Sequence, residues 1–137
     1  MDHPRTLLHT TRIPVRWGDM DALGHVNNTV YFRYMEQARV EWLEALGLPI
    51  EPGRSEGVVI VNASCTFLVP VTYPATVEVQ LFAGNPGRSS IPTFYRMFCL
   101  GEDTLYAEGD AKVIWINGVT GKSIPLPDRI RARLAPK

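Results

Sequence analysis

The chain has 137 residues, 45% hydrophobic and 20% charged, with 14 basic and 14 acidic side chains. This length suits one hydrophobic core, and the balanced charge argues against a nucleic-acid surface, which usually shows a basic excess. No stretch reaches the roughly 18 apolar residues of a membrane helix, and the N-terminus lacks the apolar core of a signal peptide. We therefore expect a single domain over residues 1–137, in the cytoplasm, without nucleic-acid partner or membrane insertion. Cys65 and Cys99 lie far apart without CxxC spacing, which predicts buried, reduced thiols.

A first strand is predicted in TTRIPVRW, residues 10–17, and a polar stretch follows it. The period then changes to that of a helix between Asn28 and Leu46, where apolar residues cover about half of the helical circumference. Asn27 or Asn28 can cap the start of this helix, and Gly47 ends it. So wide an apolar face predicts a helix that is wrapped by other structure.

After the helix, alternating apolar residues predict four more strands. They cover residues 58–69, 76–84, 91–100 and 104–117. Short connections favour an antiparallel meander, so the predicted class is α+β, with one sheet curled around one long helix. The small residues Ala107, Gly109 and Ala111 would let a backbone approach the last strand closely. Pro92 cannot donate to a ladder, which predicts an edge strand or a bulge there.

Two carboxylates and an imidazole, from Asp19, Asp21 and His25, lie in the polar loop before the helix. A calcium loop would need oxygen ligands where Leu23 and Val30 stand, so that interpretation fails on spacing. A transition-metal site would need a second histidine or cysteine near His25. A serine triad would need a GxSxG-like turn, which the sequence lacks. No metal site is therefore expected.

The remaining chemistry is a carboxylate placed just ahead of a helix start. The free N–H groups and partial positive charge of a helix N-terminus can hold a developing oxyanion. Asp21 could then attack an acyl carbon or activate water beside it. The residues alone leave an alternative open, in which Asp21 and His25 only satisfy a tight turn and cap the helix.

The stretch DMDALGHVNNTVYFRYMEQAR, residues 19–39, resembles the signature of the hotdog-fold acyl-CoA thioesterases. The match is to the hydroxybenzoyl-CoA thioesterase-like branch, whose motif reads approximately D-x-x-G-H/V-V-x-N-x-x-Y-x-x-Y-x-E-x-A-R. This resemblance implies a five-stranded antiparallel sheet around a central helix. It also implies dimers whose sheets join edge to edge, commonly paired into tetramers, and active sites at the dimer interface. The implied activity is hydrolysis of an acyl-CoA substrate without a metal or other cofactor.

The resemblance also assigns roles to residues of the loop and helix. Asp21 matches the catalytic carboxylate, either as nucleophile or as base for water. The backbone N–H of Asn28 matches the donor that polarises the thioester carbonyl, and His25 matches a position that orients water or substrate. Tyr31 matches a motif tyrosine that lines the acyl pocket or packs in the core.

Two further candidates lie outside the loop. Glu36 is a secondary candidate for a catalytic acid, and an ion pair or interface contact with Arg39 is its simpler interpretation. In GNPGRSS, residues 84–90, the resemblance implies CoA binding by Arg88, Ser89 and Ser90, and a solvated hairpin is the alternative. Three functions stay open: an acyl-CoA thioesterase, an acyl-carrier-protein thioesterase or hydratase on the same fold, and a non-catalytic acyl-CoA-binding protein.

Overall fold

The computed structural model describes residues 5–48 and 51–134, which form a five-stranded antiparallel sheet and two α-helices. The strands are β1 (Thr6–Pro14), β2 (Gly57–Phe67), β3 (Thr76–Ala83), β4 (Ser90–Cys99) and β5 (Leu105–Ile116), and the helices are α1 (Asn28–Ala45) and α2 (Asp128–Leu134). A short 3-10 turn, Trp17–Asp19, leads from β1 toward the loop before α1. Neither helix combines the length and the hydropathy that crossing a bilayer requires.

The sheet order is β1-β3-β4-β5-β2, so the strands adjacent in sequence are not all adjacent in space. The predicted meander is correct for β3, β4 and β5 but wrong for β2, which pairs with β5 at the far edge. The physical reason is the path of α1, which packs against strands from both halves of the sheet and carries the chain from one edge to the other. The predicted sheet wrapped around one long helix is confirmed.

Helix α1 is buried along the face that the sequence pattern predicted. Its buried residues are Tyr31, Tyr34, Met35, Ala38, Trp42 and Leu43. Burial of a large apolar side chain of this kind stabilises a fold by roughly 1.5–3 kcal/mol. The close approach to β5 is also confirmed, because a Cβ added at Gly109 would lie 2.9 Å from the sulfur of Met35. The helix is thus held in the curve of the sheet.

Pro92 departs from the prediction, because it lies in β4, which is a central strand, and no bulge occurs there. The last ladder pair between β3 and β4 joins Ala83 to Thr93, and just beyond it the Pro92 carbonyl accepts from the Gly84 N–H at 2.8 Å. The N–H and C=O of a strand residue face the same neighbour. The missing proline donor therefore costs one bond at the end of a ladder rather than in its middle.

The two cysteines are both free thiols, as predicted. Cys99 is buried, but Cys65 in β2 is only half-buried. Burial raises the pKa of both thiols, to about 11 for Cys65. Both side chains therefore stay protonated near neutral pH.

Helix α2 was not predicted from the sequence, because its seven residues offer only Ile130 and Leu134 as buried apolar positions. It holds residues 84–90, the connection between β3 and β4 together with the first residue of β4, which we call the β3–β4 turn. The Arg131 guanidinium donates to the carbonyls of Gly87 and Arg88 at 2.7 and 3.0 Å. Just before α2, the Leu126 N–H also donates to the Arg88 carbonyl at 2.8 Å. The turn is therefore fixed by the C-terminal part of the chain.

Candidate functional site

The loop that precedes α1 is closed by its own backbone. The Asp21 N–H donates to the His25 carbonyl and the Gly24 N–H donates to the Asp21 carbonyl, both at 3.0 Å. Gly24 has φ of +80°, a conformation that favours glycine. One residue on, the Val26 N–H donates to the Val71 carbonyl at 2.8 Å, which ties the loop to the segment after β2. This closure leaves Asp21 half-buried and His25 exposed.

Both oxygens of the Asp21 carboxylate have a fixed donor. Oδ1 accepts from the Leu23 N–H at 2.9 Å, and Oδ2 accepts from Nδ2 of Asn27 at 3.0 Å. A carboxylate has about four lone-pair positions, so each oxygen keeps capacity for a further partner. Asp21 is therefore oriented but still able to attack a carbon or to accept a proton.

Asn27 is the residue that caps α1. Its Oδ1 accepts from both the N–H and the hydroxyl of Thr29, at 2.9 and 2.6 Å. The sequence left Asn27 and Asn28 open as caps, and the structure selects Asn27. The N–H of Asn28, the first helical residue, has no acceptor within residues 5–48 and 51–134. A helix-start N–H in this state can donate to an anionic oxygen.

Asp19 holds the loop in place. Its Oδ2 accepts from the Tyr34 hydroxyl at 2.9 Å and from the Arg16 N–H at 3.0 Å, and its backbone carbonyl accepts from the Asn27 N–H at 2.9 Å. Burial, together with the Asp19 carboxylate, raises the pKa of Tyr34 far above its usual value. The two carboxylates of the loop therefore differ, since Asp19 accepts from a core tyrosine and Asp21 accepts only from groups of its own loop.

Tyr31 packs in the core of the chain. It is 3% exposed and contacts Phe67 and Tyr34 edge-to-face, with ring centroids 4.9 and 6.2 Å away. Burial raises the pKa of Tyr31, which keeps it neutral. Large apolar side chains on the segments around this end of the sheet are instead exposed, namely Trp17, Leu23, Phe67, Leu68 and Tyr73. Sequence reasoning missed this surface, which an acyl group or a partner chain could cover.

Glu36 does not pair with Arg39. It bonds Arg33 at 3.0 Å on the exposed side of α1, while Arg39 donates to the hydroxyl of Tyr95 at 3.2 Å. Of the two simpler interpretations of Glu36, the ion pair with Arg39 is wrong, because Arg39 is directed toward the buried Tyr95 and Glu36 toward solvent. Glu36 lies about two helical turns beyond Asn28.

The β3–β4 turn lies at the opposite end of α1 from Asp21. The Trp115 N–H donates to the Ser89 carbonyl at 2.7 Å, and the Trp115 ring contacts Trp42, in the last turn of α1, with centroids 6.3 Å apart. Eighteen residues rising about 1.5 Å each make α1 about 27 Å long. One chain therefore does not bring Arg88, Ser89 and Ser90 to Asp21.

The β3–β4 turn offers polar groups to solvent. Arg88 is exposed, and its Nη1 lies 3.4 Å from the hydroxyl oxygen of Ser89. A hollow of about 440 Å³ adjoins the turn on the outer face of the sheet, and Asn85, Ser90, Lys112 and the acidic Asp110 are among its lining residues. Guanidinium, ammonium and hydroxyl donors of this kind suit a phosphate-bearing ligand.

Residues 5–48 and 51–134 contain no group of three or more His, Cys, Asp or Glu side chains placed to hold a metal ion. His25 is exposed beside Asp21. His9 lies on β1 and bonds Glu41 of α1 at 2.9 Å. The two histidines of the described residues thus have separate settings, one in the loop and one between β1 and α1.

Comparison with known proteins agrees with this geometry. A family model described as the thioesterase-like superfamily matches residues 15–134. A solved Pseudomonas aeruginosa structure described as "a putative Thioesterase" is 50% identical, with a TM-score of 0.90, over 95% of this chain and 100% of that one. A "Putative esterase" of Aquifex aeolicus is 32% identical over 118 residues, 85% of this chain and 89% of that protein. The structure of a gentisyl-coenzyme A thioesterase is 26% identical, with a TM-score of 0.79, over 93% of this chain and 100% of that one. The chain therefore belongs to the thioesterase-like superfamily and has the hotdog fold.

Proposed function

We propose that the protein hydrolyses an acyl-CoA thioester to a free carboxylic acid and CoA, with Asp21 as the catalytic carboxylate. One observation carries this proposal. An oriented carboxylate lies in the loop that leads directly into a helix start, where the Asn28 N–H lacks an acceptor among the described residues. One solved relative is named as a gentisyl-coenzyme A thioesterase, which supports CoA as the thiol part of the substrate. The cytoplasmic location stays a prediction from the sequence.

The reaction needs charge stabilisation at the carbonyl oxygen and a nucleophile at the carbonyl carbon. The Asn28 N–H donates to the carbonyl oxygen, and one such preorganised donor is worth about 3–4 kcal/mol of transition-state stabilisation. Asp21 removes a proton from water, whose oxygen bonds to the carbon as the C–S bond breaks and CoA thiolate leaves. In the alternative route, Asp21 itself attacks the carbonyl carbon, the C–S bond breaks as CoA thiolate leaves, and water then hydrolyses the acyl-aspartyl anhydride. His25, exposed beside Asp21, orients the water or the substrate.

A second copy of the chain supplies the CoA-binding groups in this proposal. Strand β2 is the last strand in the sheet order, so one of its edges pairs with β5 and the other pairs with no strand of the described residues. It exposes Val59, Ile60 and Val61, which are 38%, 37% and 55% accessible. An open, apolar edge strand is a template for pairing with another chain. We therefore propose a homodimer that joins two sheets along β2.

Such pairing would bring the start of α1 in one copy close to the end of α1 in the other copy. Strand β2 starts at Gly57, which pairs with Ile116 near the β3–β4 turn, and ends at Phe67, which contacts Tyr31 near the loop. A two-fold axis reverses the partner strand, so the partner's β3–β4 turn comes to the end that carries Asp21. Arg88, Ser89 and Ser90 would then hold the CoA of a substrate whose thioester lies at the other copy's Asp21.

The test measures hydrolysis of a panel of acyl-CoAs by the wild type, Asp21→Asn and Asp21→Ala. The release of free thiol reports the rate. We expect both variants to lose about 100-fold or more in kcat, the usual contribution of a positioned acid or base. Asp103→Asn is the matched control, because Asp103 is exposed in the connection between β4 and β5. Full activity in both Asp21 variants would overturn the mechanism.

Two further measurements separate the other functions. Competition between CoA and carrier-protein thioesters reports which thiol carrier the enzyme prefers, and an unchanged acyl double bond excludes a hydratase. Tight acyl-CoA binding by calorimetry without turnover would point to a non-catalytic binding protein instead.

A further inference from the structure

We propose that Asn27 is a positioning residue for Asp21, in addition to capping α1. The inference rests on the proposed function, because it assigns Asn27 a role in orienting the proposed catalytic carboxylate. Its basis is one side-chain amide that joins the helix start to the Asp21 carboxylate through its two different ends.

The orientation of the Asn27 amide follows from its partners. The N–H of Thr29 can only donate, so the atom that it meets at 2.9 Å must be the amide oxygen. The amide nitrogen therefore faces Oδ2 of Asp21, at 3.0 Å. The flipped amide would set two donors against each other at Thr29 and an oxygen against a carboxylate at Asp21.

The backbone of Asn27 is fixed as well. Its N–H donates to the Asp19 carbonyl at 2.9 Å, and its carbonyl accepts from the Val30 N–H at 2.9 Å. The Asp19 side chain in turn accepts from the buried Tyr34. These bonds fix the position of the Asn27 amide nitrogen. The amide nitrogen then orients Oδ2 of Asp21, and the Leu23 N–H orients Oδ1.

A cap alone would not require asparagine at this position. Serine and aspartate cap helices about as well, but neither has an amide donor beyond the capping oxygen. Without that donor, Asp21 keeps only its bond from Leu23, and its carboxylate can rotate. A misplaced reacting group costs up to about 100-fold in rate. The effect should appear in kcat rather than KM, because Asn27 contacts Asp21 and not the substrate in this proposal.

The experiment compares Asn27→Ser, which keeps a cap and loses the donor, with Asn27→Asp, which keeps a cap and sets a second carboxylate against Asp21. We expect kcat to fall about 10-fold or more in both, with KM within about twofold and, for Asn27→Ser, a thermal midpoint near that of the wild type. Asn117→Ser is the matched control, since Asn117 also accepts a backbone N–H, from Val119, in the turn after β5 and lies far from Asp21 of its own chain. That variant should keep full activity.

Wild-type kcat in both Asn27 variants would overturn the inference and leave Asn27 as a cap. If Asn27→Ser lowers the thermal midpoint strongly, Asn27→Asp decides alone, because its carboxylate caps as well as asparagine. Asp21→Asn is measured in parallel. An inactive Asp21→Asn with fully active Asn27 variants overturns only the positioning role, whereas a fully active Asp21→Asn overturns the proposed catalytic role of Asp21.

Discussion

The two ends of helix α1 differ in the groups that they present. At its start, Asp21 has two fixed donors and unused lone pairs, next to a helix-start N–H and a set of exposed apolar side chains. At its end, the β3–β4 turn presents Arg88 and two serine hydroxyls, and Arg131 holds its carbonyls. The helix keeps the groups for reaction and the groups for an anionic ligand about 27 Å apart. In the proposed function a complete site therefore requires a second copy, and the following variants test this proposal.

The largest expected effect comes from breaking the open edge of β2. Val61→Asp places a charge on an exposed edge strand and should prevent pairing. We expect a monomer whose kcat/KM falls about 100-fold, because Asp21 and the CoA-binding groups are no longer joined. Light scattering gives the size of the wild type, dimer or tetramer, and of the variant, while thiol release gives the activity.

Val119→Asp is the matched control for Val61→Asp, since Val119 is 71% exposed in the turn after β5. It should keep both the assembly and the rate. A fully active monomer of Val61→Asp would show that one chain suffices.

The second prediction separates the structural role of Asp19 from the proposed catalytic role of Asp21 at the start of α1. Tyr34→Phe removes the core donor to Asp19, and loss of a buried hydrogen-bond partner costs about 1–3 kcal/mol of unfolding free energy. Asp21→Asn should cost less of that free energy than Tyr34→Phe, because it loses one acceptor oxygen in a half-exposed loop whose partners are local. Urea unfolding measures both. Equal stability of Tyr34→Phe and the wild type would contradict the supporting role of Asp19.

The third prediction concerns the β3–β4 turn, which lies near the end of α1. Arg131→Ala removes the guanidinium that holds the carbonyls of Gly87 and Arg88. We expect KM for acyl-CoA to rise about 5- to 10-fold, which corresponds to about 1 kcal/mol, the net contribution of a typical hydrogen bond, with kcat unchanged. Arg133→Ala, exposed on the same helix, should keep the wild-type KM. An equal KM for both variants would argue against α2 as support of the turn.

The smallest effect concerns the middle of α1, where no reaction is proposed. Partial burial of Glu41 favours its neutral form, but hydrogen bonds from Gln37, Thr11 and His9 outweigh it, so the pKa of Glu41 lies below its usual 4.5. A carboxylate with a lowered folded pKa stabilises the fold above its unfolded pKa and loses that contribution as the pH falls through the folded one. The wild type should therefore lose stability relative to Glu41→Gln below about pH 4.5, by less than about 1 kcal/mol because the site is partly exposed. Thermal midpoints that fall in parallel for the two proteins would contradict this.

The sequence predicted those features of the fold that depend mainly on neighbouring residues. The apolar face of α1, its asparagine cap and its end at Gly47, which has φ of +76°, all follow from neighbouring residues. The position of β2 did not follow, because it depends on the path of the chain across the sheet. Helix α2 was missed because two apolar residues four apart are too weak a pattern.

The candidate site was predicted in part for the same reason. Asp21 could be singled out from its place just before the helix, and the Asn28 N–H from a family resemblance. The bond between Asp21 and Asn27 could not, because it depends on how the loop closes through the His25 carbonyl. The distance from Asp21 to Arg88 could not be predicted either, since it is set by the length of α1 across the folded sheet.

Mixing two impaired variants tests most directly whether the site is shared between copies. Asp21→Asn removes the proposed catalytic carboxylate, and Arg88→Glu reverses the charge that would hold CoA. A mixed dimer joins the intact Asp21 of one copy to the intact Arg88 of the other, so random mixing should restore up to about a quarter of wild-type activity at low substrate concentration. Activity no higher than the average of the two parent variants would contradict a site built from two chains.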